Sequence, residues 1–224
     1  MTLRIAIDGP SGAGKSTVGF ALADRLDATF VDTGLMYRAL TLAALERGID
    51  LEDGPGLGHL AASCAIEVER PGPEHHGRLE TVRLDGRDVT DAVRSPVVDR
   101  AVSAVSRHVE VRDAMLSVQR AAALRGDTVM VGRDIGTVIL PDATLKVYLV
   151  AAPEVRAARR AAEMGAIERY EEYLADLLRR DAADSDRAIA PLRQADGALV
   201  LDTGLLDVEA CVAAIMERLG QTDA

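Results

Sequence analysis

Residues 9–16 read Gly9-Pro10-Ser11-Gly12-Ala13-Gly14-Lys15-Ser16, and Thr17 follows them. The spacing is G-x-x-x-x-G-K-[S/T], which is typical of a loop that binds phosphate groups. Its glycines let backbone N–H groups approach a polyphosphate, and the helix that follows contributes the positive end of its dipole. Lys15 can reach the β- and γ-phosphates, and the Ser16 hydroxyl can ligate Mg²⁺. We therefore predict that residues 9–17 bind a nucleotide.

The residues on either side of this loop fit the structure that such a loop needs. An apolar run at residues 3–7 predicts a strand, and helical spacing of apolar side chains predicts a helix over residues 15–26. Residues 29–31 and 35–47 repeat the order of strand and helix. Further apolar runs predict strands buried on both faces, at residues 128–131, 144–150 and 198–201. The pattern predicts an α/β fold with a parallel five-stranded sheet flanked by helices.

The segment over residues 50–91 has a different character. It is rich in Gly and Pro and contains three β-like pieces, at residues 65–69, 79–84 and 87–89. Asp85-Gly86, between the last two, is a strong signal for a hairpin turn. We interpret the segment as a small β-containing insertion. Helical patterns return beyond it, at residues 97–107, 109–125 and 154–186.

Composition excludes several classes of function. The net charge of −10, with four Tyr, two Phe and no Trp, argues against nucleic-acid binding. No apolar run reaches the length of a membrane span, and the amino terminus lacks the features of a signal peptide. Cys64 and Cys211 have no metal-ligand spacing and are expected to be buried thiols in a reducing compartment. We expect a cytoplasmic monomer without a membrane partner.

The phosphate loop alone does not distinguish a kinase from a switch GTPase or an ATP-driven motor. A GTPase would need an N-K-x-D segment to recognise guanine. The chain has only two lysines, Lys15 in the loop and Lys146 after a leucine, so it has no such segment. The chain is also short for a motor. A small phosphotransferase is favoured.

Charged residues follow several of the predicted strands, where ligands bind in open α/β folds. They occur in residues 32–38 (Asp-Thr-Gly-Leu-Met-Tyr-Arg) and in residues 132–137 (Gly-Arg-Asp-Ile-Gly-Thr). Further acidic and basic residues, at 179–187, lie in the charged carboxyl-terminal region. A single Arg or Asp is more often a solvated surface residue. Similarly, Arg156, Arg159 and Arg160 could form one face of an exposed helix. Their coincidence with strand ends and a phosphate loop favours a shared site.

The order and spacing of these segments resemble those of the bacterial cytidylate kinases, which are nucleoside monophosphate kinases. The similarity covers almost the whole chain and includes residues 5–16, 32–38, 132–138, 141–143 and 187–192. It implies transfer of the γ-phosphoryl group of ATP to CMP or dCMP, with Mg²⁺. It also implies one kinase domain with a core at residues 1–34, 126–153 and 188–224. The monophosphate-binding region would be 35–125 and the helical lid 154–187.

The resemblance also implies roles for individual residues. Cytosine would be recognised by Ser103, Arg112 and Asp134, and the ribose by Arg180 and Asp184. The acceptor phosphate would be bound by Thr33, Arg38, Arg133 and Arg187. The lid over ATP would include Arg156, Arg159 and Arg160, and the catalytic cations would be Lys15, Arg133, Arg159 and Arg187.

One departure from the family's pattern bears on the metal. Relatives commonly have an acidic residue immediately before Gly132-Arg133-Asp134, whereas this chain has Val131. If that acid orients Mg²⁺-bound water, Asp8 or Asp134 would have to compensate. Two alternatives stay open: a kinase for another acceptor, such as UMP or shikimate, and a regulatory module that binds ATP without turnover.

Overall fold

The computed structural model describes residues 2–72, 78–187 and 189–222; residues 73–77 of the predicted insertion and Ala188 of the last motif lie outside these ranges. The described residues form strands at Arg4–Asp8 (β1), Thr29–Asp32 (β2), Ile66–Glu69 (β3), Thr81–Leu84 (β4), Arg87–Asp88 (β5), Thr128–Gly132 (β6), Leu145–Val150 (β7) and Leu199–Asp202 (β8). They form α-helices at Lys15–Arg25 (α1), Thr33–Glu46 (α2), Gly54–Ser63 (α3), Pro96–Ser106 (α4), Val109–Ala122 (α5), Pro153–Glu163 (α6), Tyr170–Ser185 (α7) and Val208–Thr222 (α8).

The main sheet has five strands in the order β2-β6-β1-β7-β8, and the predicted parallel α/β architecture is confirmed. The apolar run of β1 lies in the core, where Ile5 and Ile7 have no exposed surface. In the register of the parallel pairs, Asp8 of β1 lies opposite Tyr148 of β7, and Val150 of β7 lies opposite Asp202 of β8. The carboxyl ends of these strands therefore share the edge from which the phosphate loop begins.

Strand β8 differs from its prediction. Its apolar sequence predicted burial on both faces, but Val200 is 45% exposed. The strand lies at the end of the strand order, with β7 as its single neighbour in the sheet. An edge strand has less covering structure than a central one, so an apolar sequence alone did not distinguish the two positions.

The predicted β-containing insertion is confirmed for the residues that are described. Strands β3, β4 and β5 form an antiparallel sheet in that order, with Ile66 opposite Leu84. The turn between β4 and β5 is Asp85-Gly86, and both residues have a positive φ, at 51° and 79°. These are the dihedral signs of a two-residue hairpin turn, for which Asp-Gly is a preferred sequence.

Helix α3 was not predicted, because residues 50–91, which include Gly54-Pro55-Gly56, are rich in Gly and Pro and were interpreted as a β-containing insertion. The Asp53 side chain caps the helix by accepting a hydrogen bond from the Gly56 N–H at 3.0 Å. Pro55 lies in the first turn, where a missing N–H costs nothing. Helix α3 packs closely on α5: a Cβ atom at Gly58 would lie 2.6 Å from that of Glu110. Tertiary packing therefore stabilises a helix of low intrinsic propensity.

The chain divides into two compact units. The first contains Met1–Asp27 and Val129–Ala224, and the second contains Ala28–Thr128. The first therefore includes the phosphate loop and α6–α8, whereas the second includes α2–α5 and the three-stranded sheet. Cys64 and Cys211 are buried free thiols, as predicted. Among the described helices, none has the length and apolar character needed to cross a membrane. The finer division into core, monophosphate-binding region and lid stays a prediction.

Candidate active site

The backbone of the phosphate loop requires its glycines. A Cβ atom at Gly9 would lie 2.3 Å from the Leu149 carbonyl oxygen of β7, which is closer than any side chain could approach. Gly12 and Gly14 have φ values of 75° and 79°, in the left-handed region that glycine adopts without strain. Helix α1 begins directly after the loop at Lys15. The loop thus has the backbone form and the helix terminus of an anion-binding site.

Lys15 and Ser16 occupy the first turn of α1. Lys15 is buried, and its Nζ atom donates a hydrogen bond to the Pro10 carbonyl oxygen at 2.7 Å, so the ammonium group lies over its own loop. Ser16 is half-buried. Among the described residues, no group of three His, Cys, Asp or Glu side chains could hold a metal ion. One hydroxyl ligand nevertheless suits Mg²⁺, which takes most of its ligands from phosphates and water at sites of this kind.

Arg156 connects α6 to the phosphate loop. Its guanidinium group donates to the Ser11 carbonyl oxygen at 3.0 Å and to the Ala151 carbonyl oxygen at 2.9 Å. It also forms an ion pair with Asp181 of α7 at 2.7 Å. The Arg156 side chain is only 3% exposed, so the alternative that it belongs to an exposed helix face is wrong. Arg160, by contrast, pairs with the exposed Glu163 of its own helix at 3.0 Å.

Arg159 binds the turn after β8. Its guanidinium group donates to the Thr203 hydroxyl at 3.0 Å and to the carbonyl oxygen of the same residue. The Thr203 hydroxyl lies 3.2 Å from the Ala13 carbonyl oxygen in the phosphate loop. Arg159 is therefore held near the loop through Thr203, whereas its predicted catalytic role stays a prediction.

Three of the predicted substrate-binding residues form an ion-pair cluster. Asp184 of α7 accepts from Arg133 Nε at 2.8 Å, and its other carboxylate oxygen accepts from Arg187. Burial alone would raise the pKa of Asp184, but the two guanidinium groups outweigh that effect and lower it. The cluster has two positive charges and one negative charge, so it can attract an anionic phosphate. Arg180, which is half-buried, adds a further positive charge near Asp184.

Asp134 lies two residues after the end of β6 and is buried. The turn beginning at the next residue is held by Asp8, the last residue of β1. One Asp8 oxygen accepts from the Ile135 N–H and the other from the Gly136 N–H, both at 2.8 Å. Burial raises the pKa of Asp8 to about 6 against these two donors, with Asp134 raising it further and Lys15 lowering it. The Asp8 carboxylate therefore binds the first two backbone N–H groups of the turn that follows Asp134.

In the second unit, Thr33 and Arg38 lie on α2. Asp32 caps this helix by accepting from the Gly34 N–H at 2.9 Å, which places Thr33 in the first helical turn, where it is buried. Arg38 forms an ion pair with Asp99 of α4 and donates to the Val93 carbonyl oxygen at 3.2 Å. Helix α2 begins two residues earlier than predicted because Asp32 provides its cap.

Arg112 of α5 also belongs to the second unit. Its side chain is buried and donates to the Ser106 carbonyl oxygen at 3.2 Å. The guanidinium carbon lies 5.6 Å from the centre of the Tyr37 ring of α2, within cation–π range. Ser103 of α4 is half-buried. The structure therefore relates Arg112 to the Asp32–Arg38 segment, through an aromatic residue that the sequence analysis gave no role.

Comparison with known proteins gives the family. The model of the cytidylate kinase family matches residues 5–221. The chain belongs to the cytidylate kinase family. The cytidylate kinase of Exiguobacterium sibiricum is 48% identical to it over 218 residues, with 96% of each protein covered. That of Pelotomaculum thermopropionicum is 45% identical, with 96% of this chain and 95% of the relative covered.

Solved structures support the fold. An uncharacterized protein from Eubacterium ventriosum aligns with a TM-score of 0.55 over 99% of both chains, at 13% sequence identity. At that identity, the likeness supports the fold and no particular activity. The resemblance to cytidylate kinases inferred from the sequence motifs is thus confirmed by the family match and the curated relatives.

Thr203 was not identified from the sequence, and Asp8 was given only a possible metal role. Thr203 could have been found, because Asp202-Thr203-Gly204 follows β8 in the same way that Asp32-Thr33-Gly34 follows β2. In both segments, the aspartate accepts from the glycine N–H, at 2.8 Å for Gly204. The role of Asp8 had no such signal, because its bonding partners are 127 and 128 residues away.

Proposed function

We propose that this member of the cytidylate kinase family transfers the γ-phosphoryl group of ATP to CMP or dCMP, giving ADP and CDP or dCDP. The observation that most supports the proposal is the phosphate loop with Lys15 at the start of α1, in a unit that also holds the Arg133–Asp184–Arg187 cluster. The loop would bind the phosphates of ATP, the phosphoryl donor, and the cluster would bind the anionic acceptor. The family match supports the choice of CMP.

The reaction requires charge neutralisation rather than a general base. The acceptor phosphate is already anionic, so no proton has to be removed before it attacks the γ-phosphorus. Positively charged groups must instead bring two polyanions together and stabilise the charge on the transferring group. Lys15, Arg133, Arg159 and Arg187 are proposed for this role. When bound, Mg²⁺ would neutralise charge on the phosphates, with the Ser16 hydroxyl as its protein ligand.

Base recognition is assigned to Asp134 and Arg112, with Ser103. The exocyclic amine of cytosine is a hydrogen-bond donor, whereas uracil has a carbonyl acceptor at that position. An Asp134 carboxylate that accepts from the amine would be left without a donor by UMP, and Arg112 can donate to an acceptor on the ring. Thr33 and Arg38 are proposed to bind the acceptor phosphate, and Arg180 and Asp184 the ribose. The monomeric state and the cytoplasmic location stay predictions from the sequence.

ADP formation measured across a panel of acceptors tests the proposal. CMP, dCMP, UMP, AMP and shikimate are each supplied with ATP and Mg²⁺, and kcat/KM is determined for each. We expect CMP and dCMP to exceed UMP by a factor that can reach about 10⁴, because a mismatched buried hydrogen-bonding group is costly. Asp134→Ala should reduce that factor, whereas Asp142→Ala, at an exposed aspartate of the same unit, should not.

Each alternative gives a distinct outcome in this panel. Equal efficiency with CMP and UMP contradicts the role of Asp134, and a preference for UMP or shikimate replaces the proposed acceptor. ATP binding without acceptor-dependent ADP formation identifies a regulatory module rather than a kinase. CMP-dependent ADP formation in the wild type is therefore the decisive result.

A further inference from the structure

The turn that begins at Ile135 is capped by a residue from another strand. The first N–H groups of a helical turn have no partner inside it and are usually bonded by the side chain of the residue before the turn. Here that residue is Asp134, and its side chain makes no capping hydrogen bond. Both oxygens of Asp8 accept from the N–H groups of Ile135 and Gly136 instead, at 2.8 Å each.

This arrangement affects Asp134, because an aspartate at a cap position ordinarily bends back onto its own turn. Because Asp8 already accepts from the N–H groups of Ile135 and Gly136, the Asp134 side chain is not needed to bond them. The Asp134 carbonyl oxygen still accepts from the Val138 N–H at 2.9 Å, so its backbone belongs to the turn. The backbone of Asp134 is thus fixed while its carboxylate is kept out of the cap.

Burying the charged Asp8 carboxylate costs free energy, which indicates that the side chain has a specific role. Asp8 is 2% exposed. Its carboxylate is close enough to the Asp134 carboxylate and to the Lys15 ammonium group to interact with both charges. A buried carboxylate beside another carboxylate is unfavourable unless it makes strong hydrogen bonds. The two bonds that it makes both go to the turn that holds Asp134.

We propose that Asp8 is a positioning residue for base selection: by capping the Ile135–Ile139 turn, it fixes the backbone of Asp134 and keeps the Asp134 carboxylate off the N–H groups of that turn. This inference rests on the proposed function, in which Asp134 accepts from the cytosine amine. Asp8 itself touches no substrate in this scheme. Asp8 also precedes Gly9 of the phosphate loop and interacts with the charge of Lys15.

The test is a double-mutant cycle with Asp8→Asn and Asp134→Ala, read as the ratio of kcat/KM for CMP to that for UMP. Asparagine keeps the size of the side chain but replaces one acceptor oxygen with a donor, so one N–H of the turn becomes available to Asp134. We expect Asp8→Asn to lower the ratio about tenfold, the value of one hydrogen bond, with an unchanged KM for ATP. In the Asp134→Ala background, Asp8→Asn should not lower the ratio further.

Two controls separate positioning from general damage. Asp53→Asn alters the cap of α3 in the second unit and should leave the CMP-to-UMP ratio unchanged. Thermal unfolding of each variant shows whether it is folded; if Asp8→Asn is not, Asp8→Ser, which keeps one acceptor oxygen, is used with the same expectation.

Three results would overturn the inference: a wild-type ratio in a folded Asp8 variant, an equal loss in the Asp134→Ala background, or an effect confined to ATP or Mg²⁺ dependence. Failure of the proposed function is different, because the wild type would then show no CMP-dependent ADP formation.

Discussion

Glu80, immediately before β4, is a buried carboxylate whose charge opposes folding. Its side chain is 2% exposed, one oxygen accepts from Arg94 at 2.6 Å, and the other has no hydrogen-bond partner among the described residues. Burial is the main cause that raises the pKa of Glu80, from its usual 4.5 to about 7; Asp32 raises it further and Arg94 opposes the change. The folded protein therefore binds a proton on Glu80 more tightly than the unfolded chain does.

The consequence is a pH-dependent cost. Below pH 4.5, Glu80 is protonated in both states and the cost is absent; above about pH 7, it is charged in both and the cost is complete. Since each pH unit between the two pKa values corresponds to 1.36 kcal/mol, the cost is ~3 kcal/mol. The Glu80→Gln variant keeps an acceptor for Arg94 and loses the charge. Its free energy of unfolding, relative to that of the wild type, should rise by about this amount between pH 4.5 and 7.5.

Urea denaturation followed by circular dichroism measures this difference, since the chain contains no Trp for fluorescence. The pH dependence is the informative quantity, because any steric effect of the amide is the same at every pH and titration of other groups cancels in the comparison. Glu67→Gln, at an exposed position of β3 in the same sheet, reports the effect of removing a solvated charge. A difference between Glu80→Gln and wild type that stays constant from pH 4.5 to 7.5 would refute the reasoning.

The remaining predictions concern the phosphate loop and the metal. Lys15→Ala should lower kcat at least about 100-fold while the circular dichroism spectrum is retained, because the ammonium group acts on the transferring phosphoryl group; a near-normal kcat would contradict the assignment of the loop. Val131→Asp should lower the half-saturating Mg²⁺ concentration by about 10-fold in titrations at fixed total ATP, since a carboxylate can accept a hydrogen bond from metal-bound water. Because Val131 has no exposed surface, the variant should also have a lower Tm, and an unchanged or higher Mg²⁺ requirement in the folded variant would refute the metal role.

Local patterns determined most of the fold in advance. Apolar runs located the five strands of the main sheet, and Asp85-Gly86 located the hairpin, because strand burial and turn dihedrals depend on neighbouring residues. Helix α3 escaped prediction because its stability depends on packing against α5, which no local pattern reveals. The exposure of Val200 was not predicted for a related reason, since an apolar sequence does not distinguish an edge strand from a central one.

The candidate site was predictable to the extent that its residues follow strands. The phosphate loop, Arg133 and Asp134 all do so: motif spacing singled out the loop, and the place of Arg133 and Asp134 after a predicted strand singled out those two residues. The partners of these residues were less accessible to sequence analysis. The resemblance implies a ribose contact for Asp184, which stays a prediction, whereas the binding of its carboxylate to two arginines depends on side-chain geometry. Likewise, the difference between the buried Arg156 and the half-buried Arg160 depends on the position of α7, because Asp181 is the ion-pair partner of Arg156.

The three bonds of Arg156 have a thermodynamic consequence. Its guanidinium group joins the Ser11 carbonyl of the phosphate loop, the Ala151 carbonyl before α6 and the Asp181 carboxylate of α7. Any displacement of α6 must either break the bond to Ser11 or move the loop. A nucleotide that favours one arrangement of the loop therefore favours the matching arrangement of α6, and by linkage the position of α6 changes the affinity for the nucleotide by the same factor. A substitution in α6 far from any phosphate can thus change nucleotide affinity without removing a single nucleotide contact.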